Sequence, residues 1–169
     1  MGDANHTRNK LLENSTNSLP SSFLAGREFR AYREFDLANG GAEVFKFVTP
    51  IDIYLDSIFV NITSGEVDFT SRAGGTEGGT FTLLPTVFPK NERSDVKPYV
   101  QQVVVTEGGT VSGGLIFDIA KVKTATSSQR VSVIEKVEGK RGLAAGTYYL
   151  SIDCISASNG VLYFNWTEA

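Results

Sequence analysis

The fold is decided by residues 28–49, EFRAYREFDLANGGAEVFKFVT. Apolar and polar side chains alternate through EFRAYREFDL, stop at Ala-Asn-Gly-Gly, and alternate again through AEVFKFVT. Period-two alternation is the signature of a strand with one face buried, because successive side chains point to opposite faces. Asn39-Gly40-Gly41 supplies residues that tolerate positive φ, so the two runs are expected to form a hairpin. The same pattern continues in both directions. IDIYLDSIFVNIT places Ile51, Ile53 and Leu55 on one face and then shifts phase to Ile58, Val60 and Ile62. A phase shift of this kind predicts a β-bulge near Asp56–Ser57. EVDFTSR turns Val67 and Phe69 inward.

Further along, AGGTEGGT and EGGTVSGG read as glycine-rich loops. LLPTVFPKNERSDVKP, with three prolines and a charge cluster, reads as the longest surface excursion. YVQQVVVT, GLIFDIAKVK and RVSVIEKV are further strands. The last pair, GTYYLSIDCIS and GVLYFNWTE, is joined by Ala157-Ser158-Asn159-Gly160, a second hairpin signal. The pentapeptide Thr-Glu-Gly-Gly-Thr occurs at 76–80 and at 106–110 without matching flanks, and is read as one turn used twice. No segment has a sustained helical period. Eight to ten strands in 169 residues indicate an all-β domain, an antiparallel β-sandwich or jelly-roll-like barrel. A polar N-terminus precedes it. Residues 1–26 form an arm, extended or briefly helical, that Leu19, Phe23 and Leu24 anchor to the body and whose apolar residues Leu11, Leu12, Leu19, Phe23 and Leu24 are expected to contact a partner, and residues 27–169 form the sandwich.

Composition narrows the chemistry. A chain with 41% hydrophobic residues can build one core unaided. The net charge of −3 offers no basic excess to neutralise phosphates, so nucleic acid is not an expected partner. No apolar run is long enough to span a membrane as a helix. The single cysteine, Cys154, alternates with Leu150 and Ile152 and is expected in the core as a small hydrophobe. The single histidine, His6, lies in the arm. A nucleophile therefore lacks its usual base, and a zinc site lacks its ligands. The acidic neighbours Asp52 and Asp56, and Glu66 and Asp68, occupy strand positions that face solvent and show no calcium-loop spacing. The glycine runs lack the Gly-Lys-Ser/Thr ending of a phosphate loop. No catalytic, cofactor or metal residues are assigned, and the protein is expected to bind rather than to catalyse. Lys136, Lys140 and Arg141 in KVEGKRG are a basic cluster suited to an acidic partner surface. Adjacent aromatics in a strand cannot share a face, so one of Tyr148 and Tyr149, and one of Tyr163 and Phe164, must point outward, where an interface is expected.

The order of segments in SSFLAGREFRAYREFDLANGGAEVFKFVTPIDIYL (21–55) and RGLAAGTYYLSIDCISASNGVLYFNWTEA (141–169), above all AGTYYLSI, resembles the small structural proteins of tailed bacteriophage virions, of the capsid decoration or cement type. The resemblance implies a cofactor-free trimer on the capsid exterior that contacts the major capsid protein or other virion proteins and reinforces the shell. An arm that orders on binding covers a large area, and repetition over a symmetric shell strengthens weak contacts. The absence of disulfides suits a particle assembled in bacterial cytoplasm. The alternative is a receptor- or carbohydrate-binding sandwich of a phage tail or fibre, for which Tyr99, Trp166 and the loop Lys90–Lys97 would supply the sugar contacts.

Overall fold

The computed structural model describes residues 21–92, 99–124 and 133–169, and of Ser21 and residues 133–140 the backbone alone. One short helix, α1 (Ser21–Leu24), precedes eleven strands: β1 (Glu28–Leu37), β2 (Ala42–Thr49), β3 (Ile53–Ile62), β4 (Glu66–Ala73), β5 (Thr76–Leu83), β6 (Val87–Pro89), β7 (Val104–Ser112), β8 (Leu115–Lys123), β9 (Val133–Leu143), β10 (Gly146–Ser156) and β11 (Ser158–Glu168). They build two antiparallel sheets, with orders β6-β1-β11-β3-β9 and β5-β7-β2-β10-β4-β8. The pairs β1·β11, β2·β10, β3·β9 and β4·β8 are nested, as if one long hairpin had been wrapped into a sandwich. That wiring is a jelly roll. The segment β5–β7 is inserted between its two halves and widens both sheets on one side.

Among the described residues no two strands consecutive in the sequence are neighbours in either sheet. Both expected hairpins are therefore corrected. Ala38-Asn39-Gly40-Gly41 turns tightly, with Gly41 N donating to Ala38 O at 2.9 Å, but it carries the chain from one sheet to the other. Asn159 and Gly160 belong to β11, opposite Asp36 and Phe35, and the crossing between sheets is made at Ala157. Gly160 is required there for space. A Cβ would lie 2.2 Å from Asn61 O and 3.0 Å from the Phe35 ring.

The glycine runs are also corrected. Residues 76–80 lie in β5 and 106–110 in β7, and the two strands pair with each other around a bulge between Gly78 and Phe81. The repeat is a paired ladder, not a turn used twice. Residues 99–103, expected as strand, precede β7 without joining it. The bulge at Asp56 is present: Leu55 and Ser57 pair with successive residues of β11, and Asp56 is the extra one.

The inner faces meet in one core. Phe47, Phe164, Trp166 and Phe29 form its centre, with Phe47 edge-on to Phe164 at 4.9 Å and Phe29 stacked on Trp166 at 5.6 Å. Val67, Phe69, Ile58, Val60, Ile62 and Cys154 are buried as their alternation requires. Offset and edge-on aromatic contacts each add about 0.5–1.5 kcal/mol beyond area burial. Ion pairs bridge the sheets near two edges. Arg33 of β1 lies 3.1 Å from both Glu43 of β2 and Glu107 of β7, and Arg141 of β9 lies 3.0 Å from Asp118 of β8.

Candidate binding faces

The residues assigned to partner contact from sequence separate in the structure. Leu11, Leu12 and Leu19 lie outside the described residues, as does the Lys140 side chain. Phe23 and Leu24 sit on α1. The Phe23 carbonyl accepts a hydrogen bond from Asn91 Nδ2 at 2.8 Å, which pins this end of the chain to the body, and Leu24 is exposed. Arg141 pairs with Asp118 and lies over the Phe117 ring at 4.9 Å, so its charge is engaged within the fold. Of the residues named for sugar contact, Trp166 is fully buried, which removes it from any surface. Its indole donates to Glu168. Tyr99 packs against Phe29 and beneath Arg27.

The acidic pairs are engaged as well. Asp52 accepts from the Ala145 amide, Asp56 from Thr167, Asp68 pairs with Lys121 and Glu66 with Lys123. Among the described residues no group of three or more His, Cys, Asp or Glu is arranged to hold a metal ion. Cys154 is buried, and desolvation pushes its thiol up, away from the reactive thiolate.

Two outer sheet faces remain. On the five-stranded sheet, register places Tyr32 opposite Tyr163 and Tyr163 opposite Phe59, with Phe88 of β6 diagonal to Tyr32. Four aromatic side chains thus form a row across β6, β1, β11 and β3. The Tyr32 and Phe88 rings are 6.2 Å apart and nearly parallel, and Tyr32 and Tyr163 are 6.0 Å apart. Beside the row runs a hydrogen-bonded chain in which Arg30 Nε donates to Asn165 Oδ1 at 3.0 Å and Asn165 Nδ2 donates to Ser57 Oγ at 2.9 Å. On its other side lies an open cleft of about 470 Å³, lined by Glu34, Asp36, Asn61, Thr63, Asn159 and Val161 among others. Sequence reasoning found that Tyr163 and Phe164 must diverge. It could not assemble the row, because the four residues come from four strands whose order was not legible.

On the six-stranded sheet, Tyr149 is the outward member of its pair, yet it is closed over. Its hydroxyl donates to Glu77 at 2.6 Å, and Lys46 also binds Glu77. Burial, then the Glu77 carboxylate, push the Tyr149 hydroxyl to about 12. The Lys46 and Tyr149 hydrogen bonds hold Glu77 below the usual carboxylate value. This cluster ties the edge strand β5 to the sheet and leaves no free base. Around it the face is mixed, with exposed aliphatic side chains toward its two edges and Lys46, Arg72, Asp153 and the pairs Asp68–Lys121 and Glu66–Lys123 between or beside them. Leu83 is 70% exposed and Ile119 64%, and Val104 and Val48, which are cross-strand partners, are also exposed with Ile116. Between these flanks lie buried polar atoms that find no hydrogen-bond partner: Ser151 Oγ, Thr106 Oγ1, Arg72 Nε and Asp68 Oδ1. Asp153 faces Asp68 directly across the strands. Burial raises its carboxyl, and the Asp68 charge adds to the rise while Arg72 opposes it. Compared with protein-family models, with curated proteins and with solved structures, the chain matches none.

Proposed function

We propose that the protein is a non-enzymatic structural virion protein that binds and stabilises a bacteriophage capsid surface, with the outer face of the six-stranded sheet as its contact. One observation carries the choice of face. Large exposed aliphatic side chains (Leu83, Val104, Val48, Ile116, Ile119) flank polar atoms that are already desolvated and unbonded. Large aliphatic side chains left exposed at both edges of one sheet face are contacts that association would bury.

The phage context, the trimeric state and the role of the arm (Leu11, Leu12 and Leu19 with Phe23 and Leu24) rest on the sequence resemblance alone. The inter-sheet ion pairs and the nested wiring support a rigid platform, which suits a reinforcing role. Rebinding to stripped particles tests the reading. Wild-type protein should rebind virions of its source to a stoichiometric level, and Ile119→Glu should not. Failure of the wild type to rebind, or full rebinding of Ile119→Glu, would overturn it.

A further inference from the structure

We propose that the outer face of the five-stranded sheet is a second, separate site, and that it takes a neutral oligosaccharide. A pyranose ring has an apolar face of C–H bonds and a rim of hydroxyls. Its binding site therefore needs flat aromatic surface beside hydrogen-bonding groups. Both are present here. The row Phe88, Tyr32, Tyr163 and Phe59 runs across the strands, with the first three rings 6.2 and 6.0 Å apart and Phe59 next to Tyr163 in register, so that a linear chain of sugars can lie along it. The rings are held in place before any ligand arrives. The Tyr32 backbone is fixed by pairing to Tyr163 and by hydrogen bonds in both directions with Thr86, and its ring is flanked by those of Phe88 and Tyr163. Aromatic side chains have few rotamers to freeze, so little entropy opposes binding.

The polar groups fall beside the rings. Glu34 and Asn61 are the cross-strand companions of Val161 in the row of residues next to Tyr32, Tyr163 and Phe59. Together with Asp36 and Asn159 they line the open cleft. Asn159 Oδ1 is taken by Thr63 and Ser64, so the side-chain amine is the group it can offer to a ligand. Charge chooses the sugar class. Among the described residues that line it, the cleft carries two carboxylates and no lysine or arginine, and Arg30, on the far side of the row, is engaged by Asn165. Carboxylates accept hydrogen bonds from sugar hydroxyls and repel uronic or sialic acids, which makes the ligand neutral.

The test is direct. Purified full-length protein is screened against a panel of neutral oligosaccharides of glucose, galactose, mannose and N-acetylglucosamine, with hyaluronan as an anionic control. Hits are measured by titration calorimetry, and sedimentation velocity is run on the same samples. The expected result is binding of one neutral class, weakened about tenfold or more by Tyr163→Ala. Tyr163→Phe should retain it, and Glu34→Gln should weaken it without altering the melting temperature. Glu34→Gln guards against misfolding of Tyr163→Ala, because Glu34 is exposed and buries nothing. No binding to any neutral oligosaccharide overturns the proposal. So does binding that Tyr163→Ala and Glu34→Gln leave unchanged, or a preference for hyaluronan. Variants that alter only the sedimentation coefficient would assign the row to contact with a second copy of this chain, and would overturn it too.

Discussion

Replacing Glu168 by glutamine changes one atom type and removes one charge, at a residue that is 1% exposed. The carboxylate accepts three hydrogen bonds. Oε1 takes the Val103 amide at 3.0 Å and the Trp166 indole at 3.3 Å, and Oε2 takes the Gln102 amide at 2.9 Å. These bonds lead residues 99–103 into β7 and hold the core tryptophan at the end of β11. A glutamine oxygen can satisfy only one side. The amine would then face the Gln102 N–H, donor against donor. A hydrogen bond to a charged group is worth about 1.5–3 kcal/mol, and the loss of charge weakens the other two. Relief of the desolvation of a buried carboxylate opposes this. The net expectation is a destabilisation of about 1.5–3 kcal/mol. In a domain of this size that lowers the melting temperature by about 3–12 °C. Circular dichroism melts and urea titration measure it, and hydrogen exchange should quicken first at Gln102 and Val103. A melting temperature that is unchanged or raised would refute the reasoning, because it would mean that burying the charge costs as much as its three bonds return.

Other outcomes follow from particular contacts. Gly109→Ala places a Cβ at φ +56° and about 2.5 Å from the Phe81 ring. It should cost about 1–2 kcal/mol in backbone conformation alone and more through displacement of Phe81, read by urea midpoint. Trp166→Ala should cost about 3–5 kcal/mol as a core cavity, or prevent folding, rather than alter a surface. Burial raises the carboxyls of both Asp153 and Glu107. A raised acid favours the fold below its ordinary value and loses that contribution as pH climbs through the raised value. Asp153→Asn should therefore stabilise the protein more near neutral pH than at pH 4, and flatten the urea midpoint between about pH 3.5 and about pH 7. A midpoint whose pH dependence the variant leaves untouched would contradict this.

Much of the local structure was legible because alternation reports a buried face directly. Glu28–Leu37 and Ala42–Thr49 end where the pattern does, and the phase shift placed the Asp56 bulge. Which strands pair was not legible. Alternation says that a strand has an inner face, but the nested pairings join residues far apart in the sequence, such as Phe29 with Trp166. A tight Asn-Gly turn serves a sheet-crossing corner as well as a hairpin, so the local chemistry could not distinguish them. The glycine-rich runs misled for a physical reason. Glycine is unfavourable in strands unless something needs its missing side chain, and here the Phe81 ring lies on Gly109. The aromatic row shared this difficulty, since each ring was visible and their adjacency was not.

A protein that reinforces a capsid shell must be present on it in many copies. Quantitative mass spectrometry of purified particles from the source, with this protein measured against the major capsid protein, tests it most directly. About one copy for every few capsid subunits is expected, as multivalent attachment to a symmetric shell requires. Absence from the particles, or a handful of copies in each, would contradict it.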